Sequence, residues 1–330
     1  MESLTRNSAP GTSPRSTTLL ATGIPLGHHV SPHTTDRAFK VILLTAFLDI
    51  LGLGLIIPIL PSVIRDFAAR AALGFDSSDA AFFHFLSRFS DDSAALANGA
   101  AFSLFSLGML VGGVAFGSLS DRIGRKRTLL FTAALAMTGY LFFGFSESVV
   151  PFLFGRFLSG LAGGAFPVTQ AYVGDLFDPK ERTVKMGLVG AAFGAGFTIG
   201  PALGGIVSGF GLHVVGFVSA AAMFANLLLI YFVLPEPSHH AWHVKKSENE
   251  PSAPFPWADL FPVYAVVFIV ALGFSGMQST FGFILPDRFG VDAKAVGYAL
   301  AVVGLTSIAY QGFFIRFVRG VFLEKGMLLF

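Results

Sequence analysis

The chain contains no cysteine, which excludes disulfides, thiolate metal sites and cysteine nucleophiles. Charge is scarce: 13% of residues are Asp, Glu, Lys or Arg, against roughly 25% in ordinary soluble domains. No GxxxxGK[ST] loop occurs, so no ATP-hydrolysis site of that kind is recognisable. Uphill work would draw on an ion gradient or a partner. The net charge of +2 is spread over loops and offers no nucleic-acid patch. What the chain does have is hydrophobic sequence, 53% of it, in bare runs of the length that crosses a ~30 Å hydrocarbon layer. Eight such spans are readable: 41–61, 97–119, 128–146, 150–173, 186–208, 213–234, 261–285 and 296–315. A 330-residue soluble globule could not bury that many helices with almost no polar face. The expectation is an all-α, multi-pass membrane protein with lipid as its solvent, and not an enzyme; no cofactor motif is readable.

Basic residues accumulate on the cytoplasmic side of membrane proteins. With the N-terminus inside, sixteen of the 22 Lys and Arg fall in inner segments and five in outer ones (Arg65, Arg70, Arg88, Arg288, Lys294). That places the N-terminus in the cytoplasm, in a plasma or organelle membrane.

Residues 1–38 are rich in Ser, Thr, Pro and Gly and read as a disordered cytoplasmic tail. Their acid-poor start loosely resembles an organelle transit peptide. Residues 39–234 form a six-helix bundle, 235–260 a polar, Pro-rich linker, and 261–330 two helices of a second bundle, with MLLF opening a third. The outer stretch AAFFHFLSRF suits a short amphipathic helix on the membrane surface. In the linker, His239, His240 and His243 suggest a metal site less than they suggest a solvated connection. Trp257 fits an interfacial anchor.

Two formal charges lie deep in the spans, Asp49 in the first and Arg156 in the fourth. Such groups cost at least ~2.5–3.5 kcal/mol each and usually face a cavity or a partner. At ~1.5 Å per residue, Asp49 lies roughly 14 Å from the inner edge of the hydrocarbon, and Arg156 roughly 10 Å from the outer edge. The depths differ by about 6 Å, so the two are expected to share one polar pathway. A structural reading has Asp49 capping a kink and Arg156 bonding backbone carbonyls. A functional reading has Asp49 exchanging a proton, with Arg156 biasing it.

Between spans two and three stands Gly117-x-Leu119-x-Asp121-Arg122-x-Gly124-Arg125-Lys126. Gly117 is expected to end span two, Asp121 to cap the segment that follows, and Gly124 to permit a tight reversal. This pattern resembles the loop after the second helix in major facilitator superfamily transporters. Span one, FLDILGLGLIIPILP, with Pro58 and Pro61 to bend or end the helix, resembles the first helix of that family's drug:proton antiporter branch, which includes tetracycline exporters. Arg156-x-x-Ser159-Gly160 resembles the family's arginine motif, with Ser159 in place of its usual glutamine. Asp175, Asp178, Glu181 and Arg182 resemble the second-repeat counterpart of the charged turn.

Span five reads GLVGAAFGAGFTIGPALGG. Gly190 and Gly194, then Gly196 and Gly200, have the GxxxG spacing of closely packed helices. Pro201 removes a backbone donor, and Gly204 and Gly205 let the kink pack. This resembles the antiporter motif of the family, where it seals the outer face against the eighth helix. After the linker, Gln278 and Gln311 are the polar groups that would face a central cavity; bonding a neighbouring helix is their plainer role. Span three lacks the intramembrane acid that some tetracycline exporters carry, and spans nine to twelve of the family are absent from this sequence.

The resemblance implies a major facilitator fold, with a complete N-terminal six-helix bundle and the first two helices of the C-terminal one. It implies proton-coupled efflux of a small hydrophobic or amphipathic compound by alternating access. A different reading is a truncated, non-transporting membrane protein that acts only with a partner chain. Uptake runs against the span-five motif, and channel activity lacks rings of polar residues.

Overall fold

Hydropathy marks the part of a helix that lies in hydrocarbon, so the helices outrun the spans read from it. The computed structural model describes residues 32–237 and 257–306, and every regular element among them is helical. The first span is α1 (Pro32–Ile56), a 3-10 turn (Ile57–Ile59) and α2 (Leu60–Ala72) in unbroken succession. The turn coincides with Pro58, whose ring removes a backbone donor. The chain continues past Pro61 for three more turns, so Pro61 does not end this helix. Helix α1 also begins inside the expected tail. Helix α3 (Ser77–Leu86) supplies the short helix expected between spans one and two, with Asp79 and Phe83 buried.

Span two is α4 (Ser93–Ile123) and span three is α5 (Arg125–Phe145), with Gly124 alone between them. Gly124 adopts φ 101°, a left-handed conformation that strains any residue with a Cβ. The reversal is therefore tighter than the sequence suggested: Gly117, Asp121 and Arg122 all belong to α4. Span four is broken into α6 (Val149–Ala162) and α7 (Ala165–Leu176) by Gly163 and Gly164. There the bonds tighten to Gly163 N–H on the Gly160 carbonyl (2.8 Å) and Gly164 N–H on that of Leu161 (3.0 Å). Span five is α8 (Pro179–Ser208), which Pro201 does not interrupt, and span six is α9 (Leu212–Val233). Beyond the linker lie α10 (Trp257–Phe289) and the apolar helix α11 (Ala293–Thr306). Among the described residues, six helical segments are long and apolar enough to cross a membrane. The transit-like start, the three linker histidines and Gln311 lie outside the described residues.

The packing within the six-span bundle is two-fold. Helix α1 lies on α8 and α6 lies on α4; α5 meets α6 and α9 meets α1; α5 and α9 pack on each other. Exchanging spans one to three with spans four to six returns the same set of neighbours. Consecutive spans alternate in direction, so the two triplets are an inverted repeat. Two apolar cores result. One surrounds Leu55, Ile59, Phe67 and Phe152. The other surrounds Ile42, Leu129, Tyr172 and Ile230 and lies toward the charged turn. Asp49 falls on α1 between them.

Candidate functional site

Where the two cores part, all six spans line one cavity. Asp49, Ile50 and Leu53 come from α1, Phe105 and Met109 from α4, Tyr140 from α5 and Ser159 from α6. Phe166 of α7, Phe193 of α8 and Met223 of α9 close it. Its water-accessible space is about 60 Å³. That holds a few waters and falls far short of the roughly 300–1,000 Å³ of a site for a drug-sized ligand. Glycine shapes the wall: a Cβ on Gly52 would press against the Tyr140 ring at 3.0 Å and the Met223 methyl at 3.4 Å.

Asp49 is half-buried, and its Oδ1 accepts a hydrogen bond from Asn226 Nδ2 of α9 at 2.9 Å. Asn226 is wholly buried. A lone amide in an apolar span was the available signal for it, but a search for formal charges passes it by. Arg156 is 2% exposed, with its guanidinium stacked over Phe105 at 4.5 Å. Among the described residues its Nε and Nη1 are buried without hydrogen-bond partners, so these two donors bond no backbone carbonyl there. Asp49 and Arg156 form no ion pair among the described residues. Asp49 opens into the cavity, whereas Arg156 sits behind the Phe105 wall. Tyr140 is buried and lines the same cavity as Asp49. Gln278 on α10 is half-buried and does not line this cavity.

The charged turn is a lock within the six-span bundle. Arg125 is nearly buried and donates from Nε to Asp175 Oδ2 at 2.9 Å and from Nη1 to Ser120 Oγ at 2.5 Å. Its Nη1 also pairs with Asp121 at 2.6 Å. Asp121 thus holds Arg125 one turn on and caps no separate segment. Lys126 donates from its backbone N–H to Glu236 Oε1 (3.2 Å) and from Nζ to the Tyr231 carbonyl (2.9 Å). Glu236 so covers an otherwise unpaired donor at the start of α5. The Tyr172 hydroxyl ties the same segment down by donating to the Pro235 carbonyl at 2.7 Å. The turn therefore joins the ends of spans two, three, four and six. Sequence reading assigned no role to Ser120 or Glu236.

The span-five glycines divide three ways. Cβ atoms added at Gly196, Gly200 and Gly204 would lie 2.7 Å from the Phe47 carbonyl, 2.8 Å from Gly54 Cα and 2.0 Å from the Leu55 carbonyl. These three seat α8 on α1. Pro201 and Gly205 face α11: a Cβ on Gly297 would lie 2.4 Å from the Pro201 carbonyl, and one on Gly205 3.1 Å from Lys294 Cα. At Gly190 and Gly194 an added Cβ meets nothing within 4 Å among the described residues, so their GxxxG spacing serves no close approach there. On the same side as Gly205, Arg65 pairs with Asp287 at 2.5 Å, and Asn98 Nδ2 donates to the Ser279 carbonyl at 3.3 Å. The first bundle and α10–α11 thus meet at the end away from the charged turn.

Apolar spans, an inverted three-helix repeat and a carboxylate facing a small cavity deep in the bundle define a polytopic membrane protein. The chain matches the Major Facilitator Superfamily over residues 42–328, and it belongs to that family. It is similar to the tetracycline resistance protein, class C, of Escherichia coli, with 29% identity over 288 residues covering 84% of this chain and 66% of that one. It is also similar to multidrug resistance protein 2 of Bacillus subtilis (strain 168), with 27% identity over 282 residues covering 83% and 64%. The chain spans about two thirds of the length of these curated relatives. Among solved structures, the human organic anion transporter MFSD10 (TETRAN) shares the fold, with a TM-score of 0.65 at 24% identity over 86% of this chain and 72% of that one.

Proposed function

We infer that the protein is a secondary transporter that exports a small hydrophobic or amphipathic compound in exchange for protons. The observation that carries this reading is Asp49, an acid deep in the spans that opens into a cavity lined by every span of the bundle. A carboxyl so placed can load and release a proton as water reaches it from alternate sides. Arg156 would influence that exchange only at a distance, because it stacks on Phe105 and forms no ion pair with Asp49 among the described residues. Efflux relatives and the span-five motif favour antiport over uptake. With the N-terminus in the cytoplasm, the contacts of α8 with α11 and of Arg65 with Asp287 would lie on the outer side. Cargo would then enter between the two bundles, since the cavity beside Asp49 is large enough only for water and protons.

The test is reconstitution of the full-length protein in vesicles under an imposed pH gradient, with proton release followed by a dye as amphipathic compounds are added. Asp49→Asn is expected to abolish compound-driven proton movement while leaving folding intact. Undiminished exchange in that variant overturns the reading.

A further inference from the structure

Resting on that reading of Asp49, we propose that Asn226 is the positioning residue that registers the protonation state of Asp49 and passes it from span one to span six. An ionised carboxylate only accepts hydrogen bonds, and the amide of Asn226 meets it correctly, with Nδ2 donating at 2.9 Å. The other end of the same amide is left over: Asn226 Oδ1 is buried and has no hydrogen-bond partner among the described residues. A protonated carboxyl is a donor as well. An amide turned over by half a revolution about its last torsion would present Oδ1 to that proton. One side chain can thus satisfy both states of Asp49, each with a different face, and the unpaired oxygen is the acceptor held for the second state.

The surroundings leave this task to Asn226. Of the elements packed on α1 and α9, α5 brings Tyr140 to the cavity, where among the described residues it makes no hydrogen bond to Asp49, and Arg156 on α6 stacks on Phe105 instead. Helices α7 and α8 line the cavity with Ala165, Phe166 and Phe193, all apolar. About one turn along α1 and two along α9, Ser219 Oγ donates to the Gly52 carbonyl at 3.3 Å. Helices α1 and α9 therefore have a fixed polar contact beside a switchable one.

The experiment is infrared difference spectroscopy of the full-length protein, titrating the carboxyl stretch that disappears in Asp49→Asn. Asn226→Leu is expected to move its midpoint upward by about one pH unit, because the carboxylate loses its donor, and Asn226→Gln to restore part of the shift. A midpoint unchanged in folded Asn226→Leu overturns the proposal. Should that variant not fold, asparagine isotope labelling of the wild-type reads the same point. A side-chain amide band must then change with the carboxyl midpoint and cease to change in Asp49→Asn; an indifferent band overturns it. Absence of any carboxyl band that depends on Asp49 refutes instead the assignment of Asp49 to proton exchange.

Discussion

Helix α1 against α8 and helix α6 against α4 hold equivalent places in the two repeats, yet their seams are built differently. On α8, three glycines one turn apart (Gly196, Gly200, Gly204) receive α1, whose own contribution at the contact is Gly54. In the other repeat the glycines are shared. Gly108 and Gly112 on α4 meet Gly160 on α6 and Gly164 just beyond it, and added Cβ atoms at these four would lie 2.0–2.5 Å from backbone carbonyls. Each seam closes a few residues beyond the one deep charge of its repeat. Asp49 lies five residues before Gly54, and Arg156 four before Gly160. Without a hydrophobic drive between helices in lipid, close backbone approach is what holds such seams. The α1–α8 seam adjoins the second bundle through Pro201 and Gly205; the α4–α6 seam ends at the helix break beside the cavity. Equal packing thus adjoins α11 on one side and forms a cavity wall on the other.

The comparison breaks hardest at the glycines that face backbone. Gly204→Val and Gly112→Val are each expected to cost about 3 kcal/mol, since overpacked backbone has nowhere to move. Thermal unfolding in detergent should fall comparably for both, and a large loss in one alone would show that the seams are not equivalent. Next comes the lock that joins the two repeats at the charged turn. Arg125→Ala strands the partly buried Asp175 carboxylate and should destabilise by about 2 kcal/mol, with Arg125→Lys recovering part, again read by thermal unfolding.

A smaller effect concerns Asp79, which docks α3 on the start of α6. Its carboxylate accepts from the Val149 N–H at 2.9 Å and is buried. Burial pushes the Asp79 carboxyl above the usual range, with the nearby Asp76 adding, while the Val149 N–H and Arg70 pull it down. A folded-state value above the unfolded one stabilises at low pH and is lost as pH rises through it. Acidification through the carboxylate range should therefore tighten this docking in the wild-type, and Asp79→Asn should remove that dependence, measured by hydrogen exchange of α3. Smallest of all are Gly190→Ala and Gly194→Ala. With open space around them, both should keep folding and stability within about 1 kcal/mol of wild-type, any change favouring the helix. A large loss would show that another helix covers that face.

The fold was legible because a bilayer forces each apolar run into a helix that satisfies its own backbone. The charged turn and span-five glycines were legible too, as spacing. Their uses were not. GxxxG spacing is the same at Gly190–Gly194 and at Gly108–Gly112, yet only the second pair meets a neighbour, and spacing along one helix holds no information about which face is covered. Asn226 escaped notice because an uncharged amide leaves little mark on hydropathy.

By itself, the order of residues determined that this chain crosses a membrane many times, that Asp49 and Arg156 are its two deep charges, and which family it resembles. Those follow from the cost of charge and unpaired backbone in hydrocarbon, which acts residue by residue. Only the tertiary structure decided that Asp49 is held by Asn226 while Arg156 stacks on Phe105, and that Arg125 reaches Asp175 and Glu236 covers the start of α5. Partners brought together from distant spans depend on how the helices pack and rotate, and no single segment encodes that.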